Sequence, residues 1–239
     1  MNMTPASTSN ATVSQNATAC STGFVRPAAR PKIQCEVDLG IGVDTTGSSE
    51  AFRTGIPDAA ARIMKSVEAK ARQVRVWLQS HGDLDEGQNM VLHTDGGSVA
   101  QAIDDINKLT YGGGGDPYEH HLDAIEKLLK IVPWIPDQMR ARGAIVAFLT
   151  ADTKPAKSGV TAQALGEQIK NHGILLYLIC EPTPTLHELI SAADGFMFQI
   201  SNSPDLSELQ QIAAQVSASI AVSVTKGGTL PMSAPTKTH

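Results

Sequence analysis

Hydrophobic positions along the chain fall into two alternating rhythms. Val37, Leu39, Ile41 and Val43 form an apolar run that closes on Asp44 and a Gly-containing turn, as a buried strand does. Ile56, Ala60, Ile63, Val67 and Ala71 then recur at helical spacing with charges between them. Val74 to Ser80 predicts a second strand and His81 to Gln88 a polar loop. Met90 to Thr94 predicts a short third strand, antiparallel at an edge, before the turn Asp95-Gly96-Gly97. Val99, Ala102, Ile103, Ile106 and Leu109 mark another helix face. After the loop Thr110 to Asp116, Tyr118, Leu122, Ile125, Leu129 and Val132 stripe a third. Ala144 to Leu149 is an apolar strand that runs into Thr150-Ala151-Asp152. Thr161 to His172 reads as a helix, Ile174 to Cys180 as a strand, Leu186 to Ala193 as a short helix and Gly195 to Ile200 as a strand. Leu206, Leu209, Ala213, Val216 and Ile220 mark a last helix. Strands and helices alternate, and most strands are apolar throughout. The pattern predicts an α/β fold: a mostly parallel central sheet with one antiparallel edge strand and helices on both faces. In such a sheet the functional loops stand at the carboxyl ends of the strands.

The ends of the chain differ from this middle. Residues 1 to 34 are rich in Ser, Thr, Ala and Asn, and no acid precedes Glu36. They hold too few large apolar groups to offset the entropy of ordering, which predicts a flexible leader, mildly basic through Arg26, Arg30 and Lys32. The expected organisation is a leader over 1–34, one domain over 35–225 and a tail over 226–239, a domain count that suits 239 residues. Apolar residues at 41% supply a core, and aromatics at only 4% mean that Ile, Leu, Val and Ala build it. A net charge of -5 is the opposite of what a general nucleic-acid binder carries. Cys20, Cys35 and Cys180 form no Cys-x-x-Cys, so neither a disulfide framework nor a structural zinc site is expected. The N-terminal stretch lacks the basic start and apolar segment of a signal peptide, and no apolar run is long enough to span a bilayer. The expected address is the cytoplasm, with reduced thiols and no membrane or nucleic-acid partner.

Chemistry concentrates in the loops after the strands. In an extended turn, residues i, i+2 and i+4 point the same way, so Asp44, Thr46 and Ser48 of Asp44-Thr45-Thr46-Gly47-Ser48-Ser49 converge. Oxygen-only ligands of this kind suit a hard cation such as Mg²⁺ or Mn²⁺. The loop Gly112 to Asp116 brings Asp116, and Thr150-Ala151-Asp152 brings Asp152; Thr110 is a further candidate hydroxyl. The plain alternative is that the Ser and Thr residues after the first strand cap the next helix. The glycine run is not a phosphate-binding loop of the Walker type, because no Gly-Lys-Ser/Thr follows it. His120 and His121 are adjacent and so face roughly 100° apart on a helix. They cannot chelate together well and are expected at the surface or in helix packing. Trp77 and Trp134 are expected to be packing groups, and Cys180 an inert buried thiol.

These motifs carry a resemblance. Asp44-x-Thr46-x-Ser48 resembles the Asp-x-Ser/Thr-x-Ser motif of von Willebrand factor A (vWA) domains. Gly113-Gly114-Gly115-Asp116-Pro117-Tyr118-Glu119 resembles the Gly-Gly-Gly-Asp-x-Pro-Glu loop of a large intracellular vWA subgroup, although Pro117 here follows Asp116 directly. The segment from Phe148 to Pro155 is similar to the strand that ends in that family's third metal-site acid. Ile190 to Gly195 resembles the element before its last strand. The resemblance covers about residues 36 to 225. It implies a Rossmann-like vWA fold with a metal-ion-dependent adhesion site. Thr46 and Ser48 would ligate through their hydroxyls, and Asp44 and Asp152 directly or through waters. Asp116 would stand where many members have Thr. The ion would be Mg²⁺, or Mn²⁺ or Ca²⁺, with an open position for an oxygen from a partner. Asp44, Asp116 and Asp152 together outweigh the charge of such an ion, so an incoming carboxylate is attracted less strongly than at a Thr-containing site.

The function that the resemblance implies is a non-catalytic protein–protein interaction module, an adaptor in a bacterial intracellular multi-component system. Its partner would be an ATPase, a kinase or another component of that system. Two other readings compete. One is a Mg-dependent phosphoryl-transfer enzyme. Asp44 before two threonines resembles the nucleophile strand of haloacid-dehalogenase phosphatases, but Thr46 stands where those need Asp. Leu39 to Thr46 faintly resembles the phosphate loop of sugar kinases and actin-type ATPases, which need a second lobe. Neither comes with a positioned general base. The other is a vWA scaffold with an unoccupied metal site.

Overall fold

Strand β1 (Glu36–Asp44) sets the architecture through its alternation: Val37, Leu39, Ile41 and Val43 point to one face, and Asp38, Gly40, Gly42 and Asp44 to the other. Every residue from Val37 to Asp44 is buried, so both faces are covered. The glycines let a helix approach: a Cβ on Gly42 would meet Leu128 at 3.3 Å, and one on Gly40 would meet Trp134 at 3.5 Å. The computed structural model describes residues 35–115, 117–138, 140–201 and 204–226; the expected leader, Asp116 and the residues after Lys226 lie outside the described residues.

Parallel strands β2 (Gln73–His81) and β5 (Ala141–Phe148) flank β1. Strand β3 (Val91–Gly97) closes one edge antiparallel to β2, with register shifts. β7 (Ile174–Cys180) and β8 (Asp194–Gln199) extend the other side in parallel, giving a six-stranded sheet of order β3-β2-β1-β5-β7-β8. The single antiparallel edge is where the sequence places it. A second ladder, β4 (Tyr118–Glu119) with β6 (Asp152–Thr153), joins two loops in parallel.

Helices α1 (Gly55–Glu68), α2 (Val99–Ile106) and α6 (Leu206–Lys226) pack on the Val37–Val43 face. Helices α3 (His121–Ile131), α4 (Ala162–Asn171) and α5 (Pro184–Ala192) cover the other. Ser98, Thr161 and Thr183 cap α2, α4 and α5 by accepting an amide N–H two or three residues into the helix. Tyr118 and Val132, the two ends of the expected Tyr118–Val132 stripe, lie outside α3; Val132 stands at its C-cap in an extended conformation, and Tyr118 precedes it. Tyr118 lies exposed in β4, because pairing with Asp152 holds this stretch extended. Ala71 likewise falls after the end of α1.

The interior strands are less uniformly apolar than expected. Asp38 is buried in β1, 2.7 Å from the Arg75 guanidinium, and also accepts the Ile135 N–H. The tryptophans are packing groups with satisfied N–H donors: Trp77 donates to Asp95 beneath Arg75, and Trp134 to the Leu129 carbonyl. Burial, and then the nearby Glu181, pushes the Cys180 thiol up to about 12, which leaves it protonated and inert. Among the described residues no helix is long and apolar enough to cross a membrane.

Candidate metal centre at the carboxyl ends of the strands

β1 ends on a carboxylate whose two oxygens gather neighbouring hydroxyls. Asp44 Oδ1 accepts the Thr46 N–H at 2.9 Å and the Thr46 hydroxyl at 2.7 Å. Oδ2 accepts the Thr150 hydroxyl at 2.5 Å, just past the end of β5. The Ser48 hydroxyl lies 3.0 Å from that of Thr46 and 3.2 Å from that of Thr150, and Ser49 lies 2.7 Å from Thr150. Thr46 stands at the N-cap of a 3₁₀ turn over Gly47–Phe52, yet its side chain makes no capping bond. The hydroxyl is spent on Asp44, so the plain capping reading fails at Thr46.

The Gly-rich loop packs directly onto this turn. The Gly47 N–H donates to the Gly113 carbonyl and the Gly112 N–H to the Thr45 carbonyl. A Cβ on Gly47 would lie 2.8 Å from the Gly113 oxygen, so the close approach requires glycine. Gly114 has φ +81, and a Cβ there would lie 3.3 Å from both Glu119 Oε1 and the Thr46 Cβ. This places the Glu119 carboxyl against Thr46. Glu119 is 2% exposed, and its Oε2 has no hydrogen-bond partner among the described residues. Burial, with the charges of Asp44 and Asp83, pushes its carboxyl up to about 8.

On the α3 side, two buried histidines back Asp44. His81, its partner in the β1–β2 register, brings Nε2 to 2.9 Å from His121 Nδ1, and His121 Nε2 lies 3.2 Å from the Ala151 carbonyl. A carbonyl only accepts, so His121 donates from Nε2 and His81 donates to His121 Nδ1. His121, accepting at Nδ1 and donating at Nε2, is therefore neutral in this arrangement. Burial is the main cause that holds His81 near 3, with His121 adding to it; burial also lowers His121. Burial alone would raise Asp44, but His121, His81 and the bonds from Thr150 and Thr46 outweigh it and hold the carboxyl below its ordinary value. Burial and then Asp44 push Tyr111, whose hydroxyl has no hydrogen-bond partner among the described residues, up to about 12.

A second acidic group lies beside the first. Asp83, Asp85 and His120 offer ligand atoms within 4.8 Å of one another, a set that could hold a metal ion. The Lys154 ammonium already reaches it, 2.9 and 2.8 Å from the two Asp83 oxygens and 3.2 Å from Asp85, while Lys157 lies 2.6 Å from Asp85. His120 Nδ1 accepts the Leu84 N–H. His120 and His121 thus diverge to different partners, as their spacing requires, and both are buried, the helix-packing alternative of the two expected. The N-terminal turn of α3 is wedged between the β2 end and the β4–β6 ladder.

No protein-family model matches the sequence, and no curated protein does. Among solved structures the chain is similar to the VWA domain of SpRpn10, at 15% identity and a TM-score of 0.59, over 83% of this chain and 100% of that domain. The fold is the vWA fold. Within it, the structure brings Asp44, Thr46 and Ser48 together, as their alternate spacing predicts. Asp116 lies outside the described residues. Asp152 starts β6 and turns its carboxylate onto the Thr153 N–H at 2.8 Å; the side chain that reaches Asp44 from that loop is Thr150. Thr110 is exposed on the wall of a cleft of about 580 Å³ beside the Gly-rich loop. Thr150 and Glu119 were both visible inside quoted motifs, but nothing in their spacing marked them. One carboxylate and three hydroxyls, with an unpartnered carboxyl oxygen beside them, form an oxygen-only donor set that fits a hard divalent cation.

Proposed function

We propose that this vWA-fold protein is a non-catalytic interaction module. It binds a protein partner through or beside a divalent cation held by Asp44, Thr46, Ser48 and Thr150. The observation that supports this reading best is the convergence of two threonine hydroxyls on the two oxygens of one buried carboxylate, with the Ser48 hydroxyl between them, at the carboxyl ends of the strands. Mg²⁺ is the natural ion, with Mn²⁺ or Ca²⁺ as substitutes, and Asp116 and Asp152 remain the further acids that the family resemblance assigns to it. With Asp44, Asp116 and Asp152 all ionised, the three charges would outweigh that of the ion, which favours a neutral oxygen from the partner over a carboxylate. We place the protein in the cytoplasm, as an adaptor whose partner is an ATPase, a kinase or another member of a bacterial multi-component system. In that role it performs no chemistry of its own.

Thermal unfolding tests the reading. Binding to the folded state alone stabilises it by about 2.7 kcal/mol at a hundredfold excess of ion over Kd. Wild type in Mg²⁺ should gain such an increment over wild type in EDTA, Asp44→Ala should not, and only metal-loaded wild type should retain the partner. Mg²⁺-dependent phosphoester hydrolysis abolished by Asp44→Ala would overturn the proposal.

A further inference from the structure

We propose that the groove between α1 and α6 is a docking surface for an acidic amphipathic helix of a partner protein, separate from the Asp44 cluster and independent of any cation there. The two helices leave between them a groove of about 410 Å³, walled by Arg62, Lys65 and Lys70 and floored on the α6 side by Ala214, Ser217 and Ala218. All three cations are exposed. Arg62 is bonded to Asp58 at 2.7 Å, and Asp58 also accepts from Gln210 of α6 at 3.2 Å. Among the described residues, the ammonium groups of Lys65 and Lys70 have no salt bridge and no hydrogen bond. Glu68, the other acid of this stretch, lines a different cleft with Arg72 and Arg75. In a chain of net charge -5, the groove thus keeps two positive charges that nothing beside them answers.

The α6 side explains why. Between Glu208 and Lys226 this helix carries no charged residue. Ser217 spends its hydroxyl on the Ala213 carbonyl at 2.6 Å, and Ala214 and Ala218 bear only methyl groups, so the floor is small and uncharged. Small side chains let a third helix settle closely between two, with its apolar stripe on the floor. Lysine stems lie along such a surface while their ammonium groups reach out to acids at the stripe's edge. Residues 1–34 and 227–239 of the chain contain no Asp or Glu, so neither end supplies that helix. The surface is also remote from the cation site. Lys70 stands two residues from Arg72, whose N–H bonds the Cys35 carbonyl before β1 begins, whereas Asp44 ends that strand.

The probe is a fluorescein-labelled amphipathic peptide of Glu, Ala and Leu, about five helical turns long, with a copy carrying Lys for every Glu as the control. With the full chain, fluorescence anisotropy should show saturable binding of the Glu peptide and none of the Lys peptide, and ¹⁵N amide shifts should map it to α1 and α6. Lys65→Glu/Lys70→Glu should weaken binding by about tenfold or more at an unchanged melting temperature, since both side chains are exposed. Raising salt from about 50 to 500 mM should weaken it as well. Ala214→Trp fills the floor without altering charge and should also weaken it. EDTA and Mg²⁺ should make no difference, so failure of the cation reading leaves this one standing. No saturable binding, binding indifferent to the double reversal, or shifts at the Asp44 turn would overturn the proposal. So would a DNA duplex that binds as tightly as the peptide, or self-association of the chain that the double reversal abolishes.

Discussion

The ends of β1 and β2 carry two buried aspartates, Asp44 and Asp83, both 0% exposed, whose charges are met in opposite ways. Asp83 is closed by the chain itself. Lys154 spans both its oxygens at 2.9 and 2.8 Å, and the Asp85 N–H adds a third bond at 3.0 Å. Asp44 receives only neutral donors, and a second carboxyl, Glu119, shares its surroundings. Hydroxyls satisfy lone pairs without neutralising charge. A buried acid closed by the chain is thus recognised by its lysine; one met only by hydroxyls keeps its charge uncompensated, and in the proposed function a cation compensates it. Mutual proximity of acids does not separate the two cases, since Asp83, Asp85 and His120 are the closer set.

The largest expected effect strikes the closed group. Lys154→Met leaves Asp83 charged and buried, and breaking such a pair costs about 3–5 kcal/mol in urea unfolding. Millimolar Mn²⁺ should then recover part of the loss, since Asp83, Asp85 and His120 become free to take an ion. A variant as stable as wild type would break the comparison.

Asp44→Ala strands the Thr46 and Thr150 donors and should cost about 1–3 kcal/mol without metal. Its more telling signature is that Mg²⁺ restores nothing.

The pH dependence sharpens the contrast. Glu119 is raised to about 8 in the fold from an ordinary 4.5, so the folded state holds a proton that the unfolded state releases. Its contribution to stability is full below the unfolded value and is lost as pH rises through 8. Metal-free wild type should weaken between pH 7 and 9 by at most about 1.4 kcal/mol per unit. Glu119→Gln should abolish this alkaline limb, and saturating Mg²⁺ should remove it in wild type. The acid limb has the other sign. His81 is lowered to about 3 from 6.5, so its contribution is present above 6.5 and fades as pH falls below that value. Glu119→Gln should leave that limb unchanged.

The smallest effect belongs to Asp85. Its side chain is half exposed, and bonds from Lys157 and Lys154 lower its carboxyl to about 2. Asp85→Asn should leave the melting temperature unchanged within error while Asp83 stays paired, as differential scanning fluorimetry would show. A large loss would mean that the exposed acid, rather than Asp83, anchors Lys154.

Much of this was legible along the chain. The alternation in β1, the run Ile174–Cys180 and the stripes of α1 and α4 are local patterns, and burial on both faces of a parallel sheet imposes them. Asp44, Thr46 and Ser48 were legible for the same reason, since alternate residues of an extended turn share a direction. The β4–β6 ladder was not legible. Two-residue strands 34 positions apart have no periodicity to read, so Tyr118 looked helical. The divergence of His120 and His121 follows from helical geometry, but their burial depends on His81 and Asp83, some 40 residues away.

The amino-acid sequence by itself determined the vWA architecture, its antiparallel edge and the turn that presents Asp44, because hydrophobic period and turn chemistry act over short separations. Tertiary structure alone decided which acids are closed and which are open. It brought Thr150 onto Asp44, gave Lys154 to Asp83, and left a Glu119 oxygen buried without a hydrogen-bond partner among the described residues. The physical reason is that a charge is compensated by whatever the fold brings within about 3 Å of it, at hydrogen-bonding distance. That depends on loop closures which no local pattern encodes.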